Sequence, residues 1–225
     1  MTEDADLAAY CYHHVYQLRA VIGGISPLIW RRLLVADQTT IAELHAIMQT
    51  VFGWSGDHLH RFDIHGTEYG MYAVGGPWFR DDARTVRLGE LSLRVGEKFS
   101  YEYNFFASWH VDLRIEQIRP VGPGRRYPRC TGGRRAGPPE DWGGSWDFLE
   151  RTQPHLVLQA LLRAAEIMGQ LLDADAGEKL ANVIGEVDRD ELAELLPLLG
   201  LEQFDRQARN QALGVCTAGA VGGSW

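Results

Sequence analysis

Thr40-Ile41-Ala42-Glu43-Leu44-His45-Ala46-Ile47-Met48-Gln49-Thr50-Val51-Phe52-Gly53 is the stretch on which the fold reading turns. Thr40 followed by Glu43 forms a capping box, in which hydroxyl and carboxylate each satisfy an orphan amide of the first helical turn. Ile41, Leu44, Ile47, Met48 and Val51 then recur at helical spacing as a single apolar stripe. Gly53 suits the left-handed position that closes a helix. The spacing predicts a helix over 41–52, amphipathic and therefore packed against something else.

Strands flank it. Before it, Tyr16, Leu18, Ala20 and Ile22 alternate with Gln17 and Arg19, the period of a half-buried strand. Gly23-Gly24 and Pro27 break that run, and 29–35 reads as its hairpin partner, with Arg31 and Arg32 on opposite faces. After the helix, Trp54 to Asp57 turns the chain into a strand over 58–65, with His58, His60, Phe62 and Ile64 on one side. A Gly-rich, aromatic stretch from Gly70 to Phe79 leads to a second hairpin. There Phe99, Tyr101, Tyr103 and Phe105 point one way, and Trp109, Val111, Leu113 and Ile115 continue the alternation.

Residues 119–146 are rich in proline and glycine and read as a long ordered loop. Beyond it the period becomes helical: 155–172, a helix opened by Asp188 and Glu191, and 202–213 ending at Gly214. The expected fold is α+β, a mixed or mostly antiparallel sheet with a packed helix, followed by a helical C-terminal part. On this reading 1–150 is the core domain, and 151–225 packs on it with a frayed tail from Ala218.

Net charge is -8, which opposes generic phosphate-backbone binding, so duplex DNA is not an expected partner. Cys11, Cys130 and Cys216 supply no CxxC pair and no disulfide framework, which fits reduced thiols in a cytoplasm. The N-terminal residues are acidic, unlike a signal peptide, and no apolar run is long enough to span a bilayer, so no membrane association is expected. There is no phosphate-binding loop, dinucleotide fingerprint or nucleophile elbow, and no cofactor is expected.

Three segments together resemble the plasmid pRiA4b ORF-3-like family, whose members are often labelled resolvases of mobile elements. They are Ile29-Trp30-Arg31-Arg32-Leu33 with Leu44-His45 and Gly53-Trp54; His58-Leu59-His60-Arg61-Phe62-Asp63-Ile64 with Tyr69-Gly70; and Tyr127-Pro128-Arg129-Cys130 leading into Pro138-Pro139-Glu140-Asp141-Trp142-Gly143-Gly144. Phe204-Asp205 and Asn210 resemble the family's C-terminal end. The resemblance implies an α+β fold on a mixed or antiparallel sheet. Relatives tend to carry an acidic Tyr-Asp-Phe-Gly-Asp segment, then Trp and His with one residue between them, so that His110 here sits one position early. Here the stretch is Tyr103-Asn104-Phe105-Phe106-Ala107-Ser108-Trp109-His110, without either carboxylate. Gly137 and Trp142 stand where relatives often have cysteines.

Recombinase chemistry does not fit the label. The last tyrosine is Tyr127, inside the proline loop, and Ser26 lies in a loop where a serine nucleophile would end a strand. His58 and His60 project the same way and could share a metal with a third ligand such as His45, Asp63 or Cys130. The competing reading makes one imidazole a turn cap and packs the other on Trp54. Glu140 and Asp141, in a rigid turn, could act as acid and base or bind a cation. They could equally pair with Arg31 or Arg32 as a structural clamp. Arg125, Arg126, Arg129, Arg134 and Arg135 form a basic patch, either a contact for single strands or a solvated loop. The function expected first is a binding or accessory module, possible partner a protein or peptide. It would use a groove between the His58 strand and the 138–144 loop, lined by Trp54, His58, His60, Tyr69, Glu140 and Asp141. The second expectation is a metal-dependent hydrolase using His58, His60, Glu140 and Asp141.

Overall fold

The computed structural model describes residues 14–70, 79, 81–173 and 196–219. Seven strands form one sheet: β1 (His14–Ile22), β2 (Trp30–Ala36), β3 (His60–Ile64), β4 (Thr67–Tyr69), β5 (Lys98–Tyr103), β6 (Trp109–Pro120) and β7 (Arg129–Arg134). Their order is β4-β3-β5-β6-β1-β2-β7, and every neighbouring pair is antiparallel. The two expected hairpins are both present. Their union is not a hairpin: β1 pairs along its whole length with β6, placing sequence-distant strands at the centre of the sheet.

Helix α1 (Ile41–Phe52) has the expected ends, with a complete Thr40–Glu43 capping box and Gly53 at φ 82°. Its stripe is buried on the inner face of the sheet, against Leu18, Ala20 and Ile22 of β1, Phe62 of β3, Tyr101 of β5 and Val111 and Leu113 of β6. Two arginines from elsewhere close its C-terminus, which carries no basic residue of its own. Arg31 Nε donates to the carbonyl of Val51 at 2.8 Å, and Arg209 Nη1 to that of Thr50 at 3.2 Å.

The C-terminal part is helical: α2 (Gly144–Arg151), α3 (Pro154–Asp173) and α4 (Arg206–Gly219). Helix α4 packs on α1 and on β7. Asn210 there uses its amide as a strand would, accepting from the Cys130 amide at 2.8 Å and donating to its carbonyl at 2.9 Å. An edge strand is thereby covered.

Two readings of the sequence are corrected. The stretch 119–146 is not one loop: β6 runs to Pro120, β7 occupies Arg129–Arg134 and α2 starts at Gly144. Gly132 and Gly133 masked β7, yet there they admit the rings of Trp30 and Phe204 close to the backbone. The third strand begins at His60 rather than at 58, and Phe105 lies beyond β5. The expected helix at Asp188, most of the Gly70-to-Phe79 stretch, Cys11 and the last residues of the tail lie outside the described residues.

Candidate functional site

The Pro138–Gly144 loop is docked on the sheet's end by a ring of aromatic and polar donors. Gly137 makes this possible, because a Cβ there would sit 1.9 Å from the carbonyl oxygen of Phe52. Trp54 Nε1–H donates to the Pro138 carbonyl at 2.9 Å. The Glu140 carbonyl accepts from Trp109 Nε1 at 2.9 Å and Asn104 Nδ2 at 3.0 Å. The Glu140 carboxylate accepts from the Ser55 amide at 3.0 and 3.1 Å, and from the Tyr103 hydroxyl at 2.6 Å. Burial, then the hydrogen bond to Glu140, pushes the Tyr103 hydroxyl up to about 12, so it remains a donor. The Trp54 ring stacks on that of Tyr103, with centroids 5.0 Å apart.

The expected clamp partners are replaced. Neither Glu140 nor Asp141 meets Arg31 or Arg32. Arg31 is fully buried, its guanidinium lying between the rings of Phe52 and Phe204 at 5.1 and 4.2 Å. It donates to the carbonyls of Val51, Trp30 and Arg134. Burial first, with Arg209 adding, lowers its pKa to about 10, with Cys130 acting the other way. Arg32, on the opposite face, makes a two-pronged pair with Glu116 at 2.5 and 2.9 Å. The sequence offered no sign that carbonyls at a helix end and at two strand ends would take the first of these arginines.

The two histidines part company. His58 Nε2 lies 3.3 Å from Asp141 Oδ1, its ring edge-on to Tyr103. His60 is buried and stacks face to face on His45, ring centroids 3.5 Å apart and planes within 5°. His45 Nδ1 lies 2.8 Å from the Tyr101 hydroxyl, which also accepts from Gln49 Nε2 at 2.6 Å. Two stacked imidazolium ions would repel in this dry setting. Burial lowers His60 to about 4, and burial with His60 beside it lowers His45 to about 2. This polar cluster was legible only as His45 and Gln49 one helical turn apart, next to the apolar stripe.

The other proposed ligands are scattered. Asp63 is exposed and accepts from the Gly66 amide in the β3–β4 turn at 3.1 Å. Cys130, a buried free thiol, is on β7 at the far edge from β3. Tyr69 lies in the core, paired with Phe62. Among the described residues no group of three or more His, Cys, Asp or Glu is placed to hold a metal ion. The basic patch also divides. Arg125, Arg126, Arg129 and Arg134 are exposed, but Arg135 is buried, with Nη1 donating to the Pro27 carbonyl at 2.7 Å and Nε 2.7 Å from Glu202. Among the described residues no helix is long and apolar enough to cross a membrane.

An all-antiparallel sheet with one helix on its inner face, and a proline loop sewn to its end, is the class of protein these features define. The chain belongs to the plasmid pRiA4b ORF-3-like protein family, whose model matches residues 14–154. It is similar to the protein of unknown function MM3350 from Methanosarcina mazei Go1, known from its crystal structure. Identity is 28%, 88% of this chain and 97% of that one are covered, and the TM-score is 0.59. No curated protein matches the chain.

Proposed function

We propose that this protein is a non-catalytic binding module that meets its ligand on the open face of its sheet and serves as an accessory protein. The observation that carries the reading is the employment of Glu140. Its carboxylate is taken by Ser55 and Tyr103 and its carbonyl by Trp109 and Asn104. The groove expected between the His58 strand and the loop is thus filled by the chain itself. A general acid or base must reach the reacting atoms, whereas here the best-placed carboxylate is a strut and His60 is sealed against His45.

The plasmid in the family's name supports placing the accessory role on a mobile element. A buried, unpaired Cys130 is in keeping with a reducing cytoplasm.

The test is Glu140→Gln in the full chain. The expected result is lower thermal stability and faster amide exchange across 138–144, with no hydrolysis of generic ester or phosphodiester substrates by either protein. Stoichiometric zinc or manganese in the purified protein would overturn the reading. So would a hydrolytic activity that the substitution removes without loss of stability.

A further inference from the structure

The register of the central strands places like charges directly opposite one another. Lys98 of β5 faces Arg114 of β6, Arg114 faces Arg19 of β1, and Arg19 faces Arg32 of β2. Four cations therefore stand in one row across four adjacent strands, on the face away from α1. Like charges directly opposite destabilise a sheet. A protein of net charge -8 sets a single carboxylate, Glu116, beside the arginines of this row in the groove they line.

One carboxylate is present, and it is already occupied. Glu116 takes both prongs of Arg32 and a further donor, Gln17 Nε2, at 2.7 Å. Lys98, Arg19 and Arg114 make no salt bridge within 4 Å among the described residues, although Arg19 lies near enough to Glu116 to help Arg32 hold its pKa down. Arg19 Nε is shielded from solvent and has no hydrogen-bond partner among the described residues. Local rules broken without a visible structural return mark functional positions.

The row is also shaped as a site. Arg19, Arg32 and Arg114 line an open groove of about 490 Å³, with Gln17 and Glu116 beside them and Val95 on the rim. The groove is open to solvent and lined mainly by polar side chains, so it suits a charged, hydrated ligand rather than an apolar one. The rim is fixed, because the Gly96 amide donates to the Ile115 carbonyl at 2.8 Å and the Ile115 amide to that of Glu97 at 2.9 Å. Trp30 sets the guanidiniums of Arg19 and Arg32 in place, each 5.4 Å from its ring centroid. Side chains already held in position lose less freedom on binding.

We infer that this row is a binding site for a small polyphosphate, an anion bearing several phosphate groups in a chain. The inference rests on the reading that the open sheet face is the binding face, and it adds the ligand's chemistry. Geometry selects a chain over a single phosphate. Strands are about 4.8 Å apart, so the three arginines of the groove extend over about 10 Å, with Lys98 one strand further on, and one phosphate reaches two neighbouring cations at most. Arginine's fork matches phosphate oxygens in pairs.

The experiment is isothermal titration of the full chain with inorganic tripolyphosphate, a nucleoside triphosphate, inorganic phosphate and a single-stranded oligonucleotide. The expected result is one saturable site for tripolyphosphate that weakens with salt, with inorganic phosphate at least tenfold weaker. The nucleotide arm distinguishes the sources: equal affinity for both polyphosphates means the chain alone is read, and tighter nucleotide binding means the base is read too. Each of Arg19→Gln and Arg114→Gln is expected to weaken binding about tenfold, and Lys98→Gln less, with melting temperatures unchanged or raised. Tripolyphosphate binding that survives the Arg19→Gln/Arg114→Gln double variant overturns the inference, as does its absence from the unaltered chain. Oligonucleotide binding without tripolyphosphate binding, lost in the double variant, sinks the ligand class while leaving the binding face standing. Silence in all four arms counts against both.

Discussion

Arg31 and Arg32 are neighbours in sequence and face opposite sides of one sheet. Arg31 is sealed among the rings of Phe52 and Phe204, where its donors end a helix and hold a strand carbonyl. Arg32 stands at the edge of a groove, shares Glu116 with Gln17, and lies beside Arg19 across the ladder. On the inner face a charge is tolerated because carbonyls and aromatic faces replace its water. On the open face charge is concentrated beyond what the neighbouring side chains neutralise. The first arrangement holds the fold together, and the second leaves electrostatic energy for a ligand to recover.

The contrast breaks most easily at Arg31. Arg31→Ala removes the donor to the last turn of α1 and leaves a hole between two rings, and should destabilise by roughly 3 kcal/mol or more in denaturant unfolding. Arg31→Lys should recover little, since one ammonium cannot reach the carbonyls of Val51, Trp30 and Arg134 together. A loss below about 1 kcal/mol would show the inner arginine to be no more structural than the outer one.

Acid should act on the inner face next. Unfolded histidines take up protons near 6.5, whereas folded His60 and His45 resist until about 4 and about 2. Between these values the unfolded state holds more protons, so stability is complete above about 6.5 and falls as pH drops toward 4. The slope should be about 1.4 kcal/mol per pH unit for each titrating ring. It should flatten in His60→Asn, whatever that variant's absolute stability. An unchanged slope would mean that the stacked pair is protonated in the native state.

Glu140→Gln should be milder, costing about 1–2 kcal/mol, because the amide keeps an acceptor for Tyr103 or Ser55 but loses the charge. Equilibrium melts resolve an effect of that size. Smallest of all is the expected change on the open face. Arg19→Gln/Arg114→Gln should leave unfolding free energy unchanged or raise it by no more than about 0.5 kcal/mol. A large loss there would make the cation row part of the scaffold and erase the distinction between the faces.

The helix from Ile41 to Phe52, both hairpins and the opposite facing of Arg31 and Arg32 followed from the sequence alone, as did the α+β class. Each rests on periods of 2 or 3.6 residues and on caps that act within a few positions. Strand β7 escaped that reading because its glycines serve neighbouring rings rather than a turn. The partners of Glu140 and Asp141 were not legible: Tyr103, Ser55 and His58 come to them only across the fold, where the sequence suggested Arg31 or Arg32. The same limit hid the cation row. Lys98, Arg114, Arg19 and Arg32 are ordinary outward residues of separate strands, and only the pairing of β1 with both β6 and β2 sets them side by side. Local patterns determine which face a side chain takes, because that is a property of one strand. Register between distant strands depends on how the whole core closes, and it is register that decided where charge accumulates.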